Sequence, residues 1–187
     1  MTGIDQTKPF VPLKVAVLTV SDTRSLEDDK SGATLVDRIE AAGHALVDRG
    51  IAHDEIAAIR SRVEAWIADP AIDVVITTGG TGLTGRDVTP EAVEPLFDKR
   101  MEGFSTVFHM VSFKKIGTST VQSRVTAGVA RATYIFCLPG SPGACRDAWD
   151  EILRDQLDYR YRPCNFVEIM PRLEEHLRRS KAGGSTI

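Results

Sequence analysis

Val74, Val75 and Ile76 run straight into Thr77-Thr78-Gly79-Gly80-Thr81-Gly82, and this junction constrains the fold more than any other stretch of the chain. Consecutive β-branched residues favour an extended strand, read here over residues 73–78. The loop behind it, residues 79–89, holds four glycines and one acid, Asp87. A helix start closes it, with Thr89 as N-cap, Pro90 as first helical residue and Glu91 in the first turn. Glycine has no Cβ, so such a loop can turn sharply and bring backbone N–H groups close to a ligand. Those donors, with the positive end of the next helix, favour an anion, most often a phosphate. A carboxylate at Asp87 repels phosphate unless a cation lies between them. Magnesium takes one or two carboxylates together with substrate phosphates, so the loop points to a magnesium–nucleotide or phosphorylated-cofactor site.

The rest of the chain alternates strands with helical stripes. Strands are read at 13–20, 44–52, 73–78 and 133–138. Helices are read from Gly32 to Ala42, from Asp54 through Ala68, from Pro90 to Phe97 and from Met101 to Lys115, and again behind Ser141-Pro142. Asp28, Asp29 and Ser31 can cap the first helix, and Gly43 stops it. The Ser- and Thr-rich segment 117–123 reads as an ordered loop or short strand. This alternation predicts an α/β fold: a single-domain, three-layer, Rossmann-like arrangement with a mostly parallel sheet and helices on both faces. Its expected boundaries are an N-terminal extension over 1–12, the domain over 13–166 and a partly frayed C-terminal tail over 167–187. Three loops leave strand ends and enter helices, at 21–31, 79–89 and 139–143. Ligands of open α/β sheets bind beyond the carboxyl ends of the strands, so these loops are expected to converge.

A net charge of −3 argues against a nucleic-acid partner, which needs a basic face. No apolar run approaches the roughly 20 residues of a bilayer span, and residues 1–8 lack an apolar signal core. The expectation is a cytoplasmic protein with no membrane partner. Cys137, Cys145 and Cys164 show neither disulfide nor zinc spacing, and Cys137 lies in an apolar run as a small buried hydrophobe. His44, His53, His109 and His176 show no metal-ligand spacing.

Gly80, Gly82 and Gly85 satisfy G-x-G-x-x-G, but a dinucleotide fold places that fingerprint after its first strand. Gly80 to Gly85 also has P-loop spacing, yet Arg86 and Asp87 stand where Lys and Ser or Thr are required. Asp87 is the preferred acid; Asp54 can be a functional acid or only a favourable charge at a helix N-terminus. Ser21-Asp22 and Pro139-Gly140-Ser141-Pro142 can bind substrate or merely turn the chain. Arg24, Arg86, Arg124 and Lys114 are candidate phosphate partners.

Thr19-Val20-Ser21-Asp22, Thr77-Thr78-Gly79-Gly80-Thr81-Gly82, Asp87-Val88-Thr89-Pro90-Glu91-Ala92 and Leu138-Pro139-Gly140-Ser141-Pro142 together resemble the MoaB/MogA family of molybdenum cofactor biosynthesis proteins. Ile116-Gly117-Thr118-Ser119-Thr120, Gln122-Ser123-Arg124 and Arg162-Pro163-Cys164-Asn165-Phe166 are most similar to its MoaB branch. The resemblance implies a molybdopterin-binding domain. It further implies transfer of AMP from Mg-ATP to the terminal phosphate of molybdopterin, giving adenylyl-molybdopterin and pyrophosphate. By position it assigns Asp54 and Asp87 as catalytic acids and magnesium ligands, direct or through water. Ser21, Asp22, Thr78, Gly79, Gly80, Thr81, Gly82, Ser123, Pro139, Gly140 and Ser141 become substrate- and phosphate-binding residues. It also implies a homotrimer or homohexamer and contact with other cofactor-assembly proteins. His53-Asp54 departs from the family's Pro-Asp. Two other readings stand beside this one: a non-catalytic molybdopterin binder or assembly protein, and an NAD-dependent oxidoreductase using the 80–85 glycines.

Overall fold

The computed structural model describes residues 2–175. In chain order the strands are β1 (Gly3–Ile4), β2 (Lys14–Val20), β3 (Ala45–Ala52), β4 (Val74–Thr78), β5 (Lys99–Arg100), β6 (Thr126–Ala130), β7 (Thr133–Leu138) and β8 (Tyr161–Arg162). The α-helices are α1 (Lys30–Ala41), α2 (Ile56–Ala68), α3 (Thr89–Val93), α4 (Glu102–Ile116), α5 (Pro142–Ala148), α6 (Arg154–Gln156) and α7 (Phe166–Ile169). Six strands form one sheet in the order β3-β2-β4-β7-β6-β5. The first four are parallel, and β6 and β5 continue the sheet antiparallel.

Residues along β2 alternate between two separate cores. Val15 and Val17 join α1 (Leu35, Ile39), α4 (Phe104, Phe108) and α5 (Cys145, Ala148) on one face. Ala16, Leu18 and Val20 join α2 (Ile59, Val63, Trp66) and α3 (Ala92, Val93) on the other. A strand covered on both faces has no polar side to expose, so it reads as a continuous apolar run. The expected three-layer α/β fold is present. The larger core is anchored by Trp149, Tyr134, Phe108 and Phe136. Each such side chain contributes roughly 1.5–3 kcal/mol by leaving water. The Tyr134 hydroxyl, inside this core, donates to the Phe166 carbonyl at 2.9 Å.

The connection from β2 to β3 runs one way along the sheet, and the return to β4 crosses to the other side of β2. The switch point therefore lies between β2 and β4. Register keeps the strand ends level: Thr19 pairs with Thr78, Val20 with Ala52, and Thr78 with Leu138. Three loops thus leave the sheet side by side.

Several local expectations change. The strand β6 gave no sequence signal, because Thr-Ala-Gly-Val-Ala carries little bulk. It is buried by its place inside the sheet, and a Cβ on Gly128 would strike the Phe97 ring. Residues 117–122 form a 3₁₀ helix rather than a strand. Helix α3 begins one residue early, with Val88 at the N-cap and Thr89 inside the first turn. Helix α2 begins at Ile56 with Glu55 at its N-cap, so Asp54 stands outside it. Helix α5 does open on Ser141, whose Oγ accepts from the Ala144 amide at 3.2 Å. It then passes into a π-helical turn over Trp149–Leu153. The N-terminal segment is tied to the body: β1 pairs with β8, Arg162 bridges to Asp5 at 2.6 Å, and the Phe10 ring lies 5.2 Å from that of His44. The expected frayed tail falls mostly at 176–187, outside the described residues.

Candidate functional site

A cleft of about 450 Å³ opens at the switch point, where the three loops meet. The first brings Ser21 and Arg24, the second Gly79 to Gly82 and Asp87, the third Pro139, Gly140 and Ser141. Asp54 enters from the β3–α2 connection. Of the fourth wall, only Ser123 was expected. This wall comes from α4 and the 3₁₀ turn after it, through Phe108, Ser112, Ile116, Ser119, Thr120, Gln122 and Ser123. Among the residues that the family resemblance assigned to substrate or catalysis, only Asp22 does not line the cleft.

The glycine turn is built by close approach. Gly79 has φ +103° and Gly80 φ +63°, a region that side-chain-bearing residues avoid. A Cβ on Gly79 would collide with the Val20 carbonyl, and one on Gly80 with the Thr89 hydroxyl. The same Cβ would lie 3.1 Å from Asp54 Oδ1. A Cβ on Gly82 would sit 2.7 Å from Asp87 Oδ2. The two acids therefore flank the turn, one at each end. Gly85 is different: a Cβ there meets nothing. The close helix packing that a dinucleotide fingerprint asks of its third glycine is not needed here.

The two acids are not equivalent. Burial and the charges of Asp22 and Asp87 push the Asp54 carboxyl above its ordinary range, against a hydrogen bond and the Arg86 charge. Burial also works against the charge of Asp87. There the Thr84 hydroxyl at 2.6 Å and amide at 2.9 Å, the Gly82 amide and the Arg124 charge outweigh it, so Asp87 is held below its ordinary range. One acid is secured as an anion, and the other is short of positive charge. That suits a divalent cation shared with a polyphosphate. No group of three or more His, Cys, Asp or Glu among the described residues could hold a metal by itself. A magnesium ion there would need the substrate's own oxygens, which fits its coordination habit.

Asp22 braces the cleft from behind. It accepts from the Asp54 amide at 3.1 Å and from both Arg86 Nε and Nη2 at 2.9 Å, and lies 3.6 Å from His53 Nδ1. This ties the first loop, the Asp54 turn and the glycine loop together. Arg86 is spent on this brace and Arg124 on the glycine loop. Lys114 borders a different, outer hollow. Of the four candidate phosphate partners, only Arg24 lines the cleft. Its Nη1 donates to the Asp28 carbonyl at 3.0 Å.

The fourth wall supplies hydroxyls. Thr120 Oγ1 and Ser123 Oγ are buried and have no hydrogen-bond partner among the described residues. A buried hydroxyl without a partner costs about 1–3 kcal/mol, so a side-chain rotation that brings either one to a ligand oxygen would be favoured. The Ser/Thr richness of 117–123 was the available signal. Periodicity could not show that this segment folds back onto the glycine loop. Beneath the site, Asp29 is wholly buried as the N-cap of α1. It accepts from Thr19 Oγ1 (2.6 Å), the Gly32 amide (2.9 Å), Ser31 Oγ (3.1 Å) and Arg49 Nη2 (3.0 Å).

A doubly wound sheet, a glycine turn at its switch point and two flanking acids define an open α/β protein with its candidate site at the carboxyl ends of the strands. Residues 16–159 match the family model described as a probable molybdopterin binding domain. Over 157 residues the chain is 55% identical to Molybdenum cofactor biosynthesis protein B of Escherichia coli (strain K12), covering 84% of this chain and 92% of that one. The protein of the same name from Bacillus subtilis (strain 168) is 42% identical over 146 residues, covering 78% and 86%. A crystal structure of a Molybdenum cofactor biosynthesis protein B superposes with a TM-score of 0.81 at 35% identity, covering 90% of this chain and 99% of the other. The chain belongs to the MoaB/MogA family of molybdopterin-binding-domain proteins.

Proposed function

We propose that this protein acts in molybdenum cofactor biosynthesis, binding molybdopterin and transferring AMP from Mg-ATP to its terminal phosphate. A molybdopterin phosphate oxygen attacks the α-phosphorus of ATP. A new P–O–P bond forms, the α–β bridge breaks, and adenylyl-molybdopterin and pyrophosphate leave. The nucleophile is already anionic near neutral pH, so no protein base is required. The difficulty is electrostatic, because two anions must approach. Catalysis then comes from positioning and charge neutralisation. Asp54 and Asp87 would hold the magnesium ion, which neutralises phosphate charge when bound. The amides of Gly80 and Thr81 would take phosphate oxygens. Ser21, Thr78, Ser123 and the Pro139–Gly140–Ser141 corner would seat the rest of the substrate, with Arg24 as the cation of the cleft wall.

The observation that carries this reading is the meeting of two acids with a donor-rich glycine turn in one cleft. Helix α4 supports self-association as a homotrimer or homohexamer. Its outer side leaves Met110 60% and Phe113 56% exposed, with Val121 beyond them at 72%. Apolar faces of this kind mark contact surfaces. Other cofactor-assembly proteins are further partners of that surface, and the cytoplasm is the proposed location. No helix among the described residues is long and apolar enough to cross a membrane.

A second reading, binding without transfer, stands beside it because the matching family model is described by molybdopterin binding alone. Purified full-length protein is mixed with molybdopterin, ATP and Mg²⁺, and pyrophosphate release is followed. Release that is abolished by Asp87→Asn supports the transferase. Pterin binding without release supports the binder, and tight NAD binding in place of both would overturn the proposal.

A further inference from the structure

Thr89 stands directly behind the glycine turn. It is fully buried and does not line the cleft, yet it holds both peptides at the head of the turn. Its hydroxyl donates to Gly79 O and its amide to Gly80 O, both at 2.9 Å. In a trans peptide the carbonyl and the following N–H point in opposite directions. Gripping Gly79 O and Gly80 O therefore turns the N–H groups of Gly80 and Thr81 away from Thr89. Those two amides donate to no described residue, although Thr81 is buried and both residues line the cleft. Buried backbone donors are almost always paired, so successive orphans in a cleft wall call for an acceptor from a ligand.

We propose that Thr89 is a positioning residue for anion binding: from behind the turn it fixes the two peptides so that the Gly80 and Thr81 amides, and not carbonyls, face the polyphosphate of the substrate. The proposal rests on the nucleotide-site reading above and adds what gives the turn its polarity. A peptide group is a dipole. Rotating one by half a turn replaces an N–H with a carbonyl and turns attraction for phosphate into repulsion. Gly79 and Gly80 have positive φ and no side chains to resist such a rotation, so the restraint must come from a neighbour. Thr89 supplies two donors of different kinds. Its amide is one of the orphan donors of a helix first turn, and any non-proline residue there would provide it. The hydroxyl is particular to the side chain, and it acts on the Gly79–Gly80 peptide alone. It reaches that carbonyl only because Gly80 has no Cβ, which would strike it. The helix gives up a side-chain N-cap for this contact: Val88 takes that position and makes no cap bond.

The test follows the amide NMR spectrum of the full-length protein, with inorganic pyrophosphate and Mg²⁺ as the probe. In wild type, pyrophosphate should shift the Gly80 and Thr81 amides. Thr89→Val keeps nearly the same shape without the hydroxyl. Before ligand is added it should move the Gly80 amide more than the Thr81 amide, whose peptide the Thr89 backbone position still holds. Its pyrophosphate affinity should fall about tenfold or more. Thr89→Ser restores the donor and should bind nearly as tightly as wild type. Thr133→Val loses a comparable buried hydroxyl bond, to Ile72 O at 3.3 Å at the other end of the sheet, and should bind normally. If valine does not fold at position 89, Thr89→Ala takes its place. A folded hydroxyl-free variant that binds like wild type, or leaves the Gly80 amide unmoved, overturns the proposal. So does a serine variant as weak as valine, or an equal loss in Thr133→Val. If Gly80 moves in ligand-free Thr89→Val but wild type ignores pyrophosphate, the nucleotide-site reading falls instead and the grip on the turn stands.

Discussion

Gly80→Ala and Gly85→Ala, two identical chemical changes five residues apart in one loop, should have opposite consequences. At Gly80, alanine must adopt φ +63°, which costs roughly 1–2 kcal/mol. Its Cβ also displaces the Thr89 hydroxyl from the buried Gly79 carbonyl, and a lost bond of that kind costs roughly 1–3 kcal/mol. The sum is about 3 kcal/mol. For a chain of this size each kcal/mol moves Tm by about 2–4 °C, so Tm should fall by roughly 6–12 °C. Ligand binding should fail as well, since the displaced Thr89 side chain and the nearby Asp54 carboxylate both bound the turn. At Gly85 the added methyl meets open space, and φ is not positive. Reduced freedom of the unfolded chain should leave stability unchanged or raise it by about 0.4–1 kcal/mol. Thermal unfolding by circular dichroism measures both. Equal losses at the two positions would refute the argument that geometry, and not glycine content, explains this loop.

Asp29→Ala removes a buried acid that caps α1 and pairs with Arg49, so it should cost about 3–5 kcal/mol in denaturant titration. Hydrogen bonds to Asp29 overcome its burial and hold its carboxyl below the ordinary range. The stability it provides is therefore present above the unfolded Asp value and lost as pH falls through the folded one, so variant and wild type should converge in acid. Asp54→Asn should act in the other direction. The raised carboxyl of Asp54 signals an ionised form disfavoured in the fold, so the variant should melt higher than wild type at pH 7 and equally at pH 3, while losing magnesium-dependent ligand binding; a lower melting point at pH 7 counts against the acid-pair description. Of the three thiols, Cys137 and Cys145 are buried, and burial pushes them up to about 12 and about 11. Cys164 is exposed, so a native-state thiol assay should titrate one group per chain, rising to three in denaturant.

The layered fold was legible because each central strand is apolar on both faces and each helix carries its stripe on one. Leu35 and Ile39 declare the buried side of α1 without any tertiary knowledge. The glycine turn was legible too, as was the helix start at Ser141. What escaped was structure whose cause is non-local. The small residues of β6 are a strand only because β7 and β5 flank them. The N-cap expected at Thr89 moved to Val88 because the Thr89 hydroxyl is committed to Gly79 O, ten residues back. Asp54 did not start α2, and its amide turned to Asp22 across 32 positions of chain. Arg86 and Arg124 looked like phosphate ligands by type, yet both are consumed by groups that no local pattern could bring near.

Local sequence, through steric preference and hydrophobic period, determined most of the strands and helices, where the chain must turn, and that a glycine turn with acids at hand follows β4. These depend on neighbours within a few residues. The folded chain alone decided which strands sit side by side, that the 117–123 segment closes the cleft as its fourth wall, and which charges remain for a ligand once Asp22, Glu91 and the loop carbonyls have taken their partners. Those outcomes depend on distances through space between residues far apart in sequence, set by the packing of two cores on one sheet.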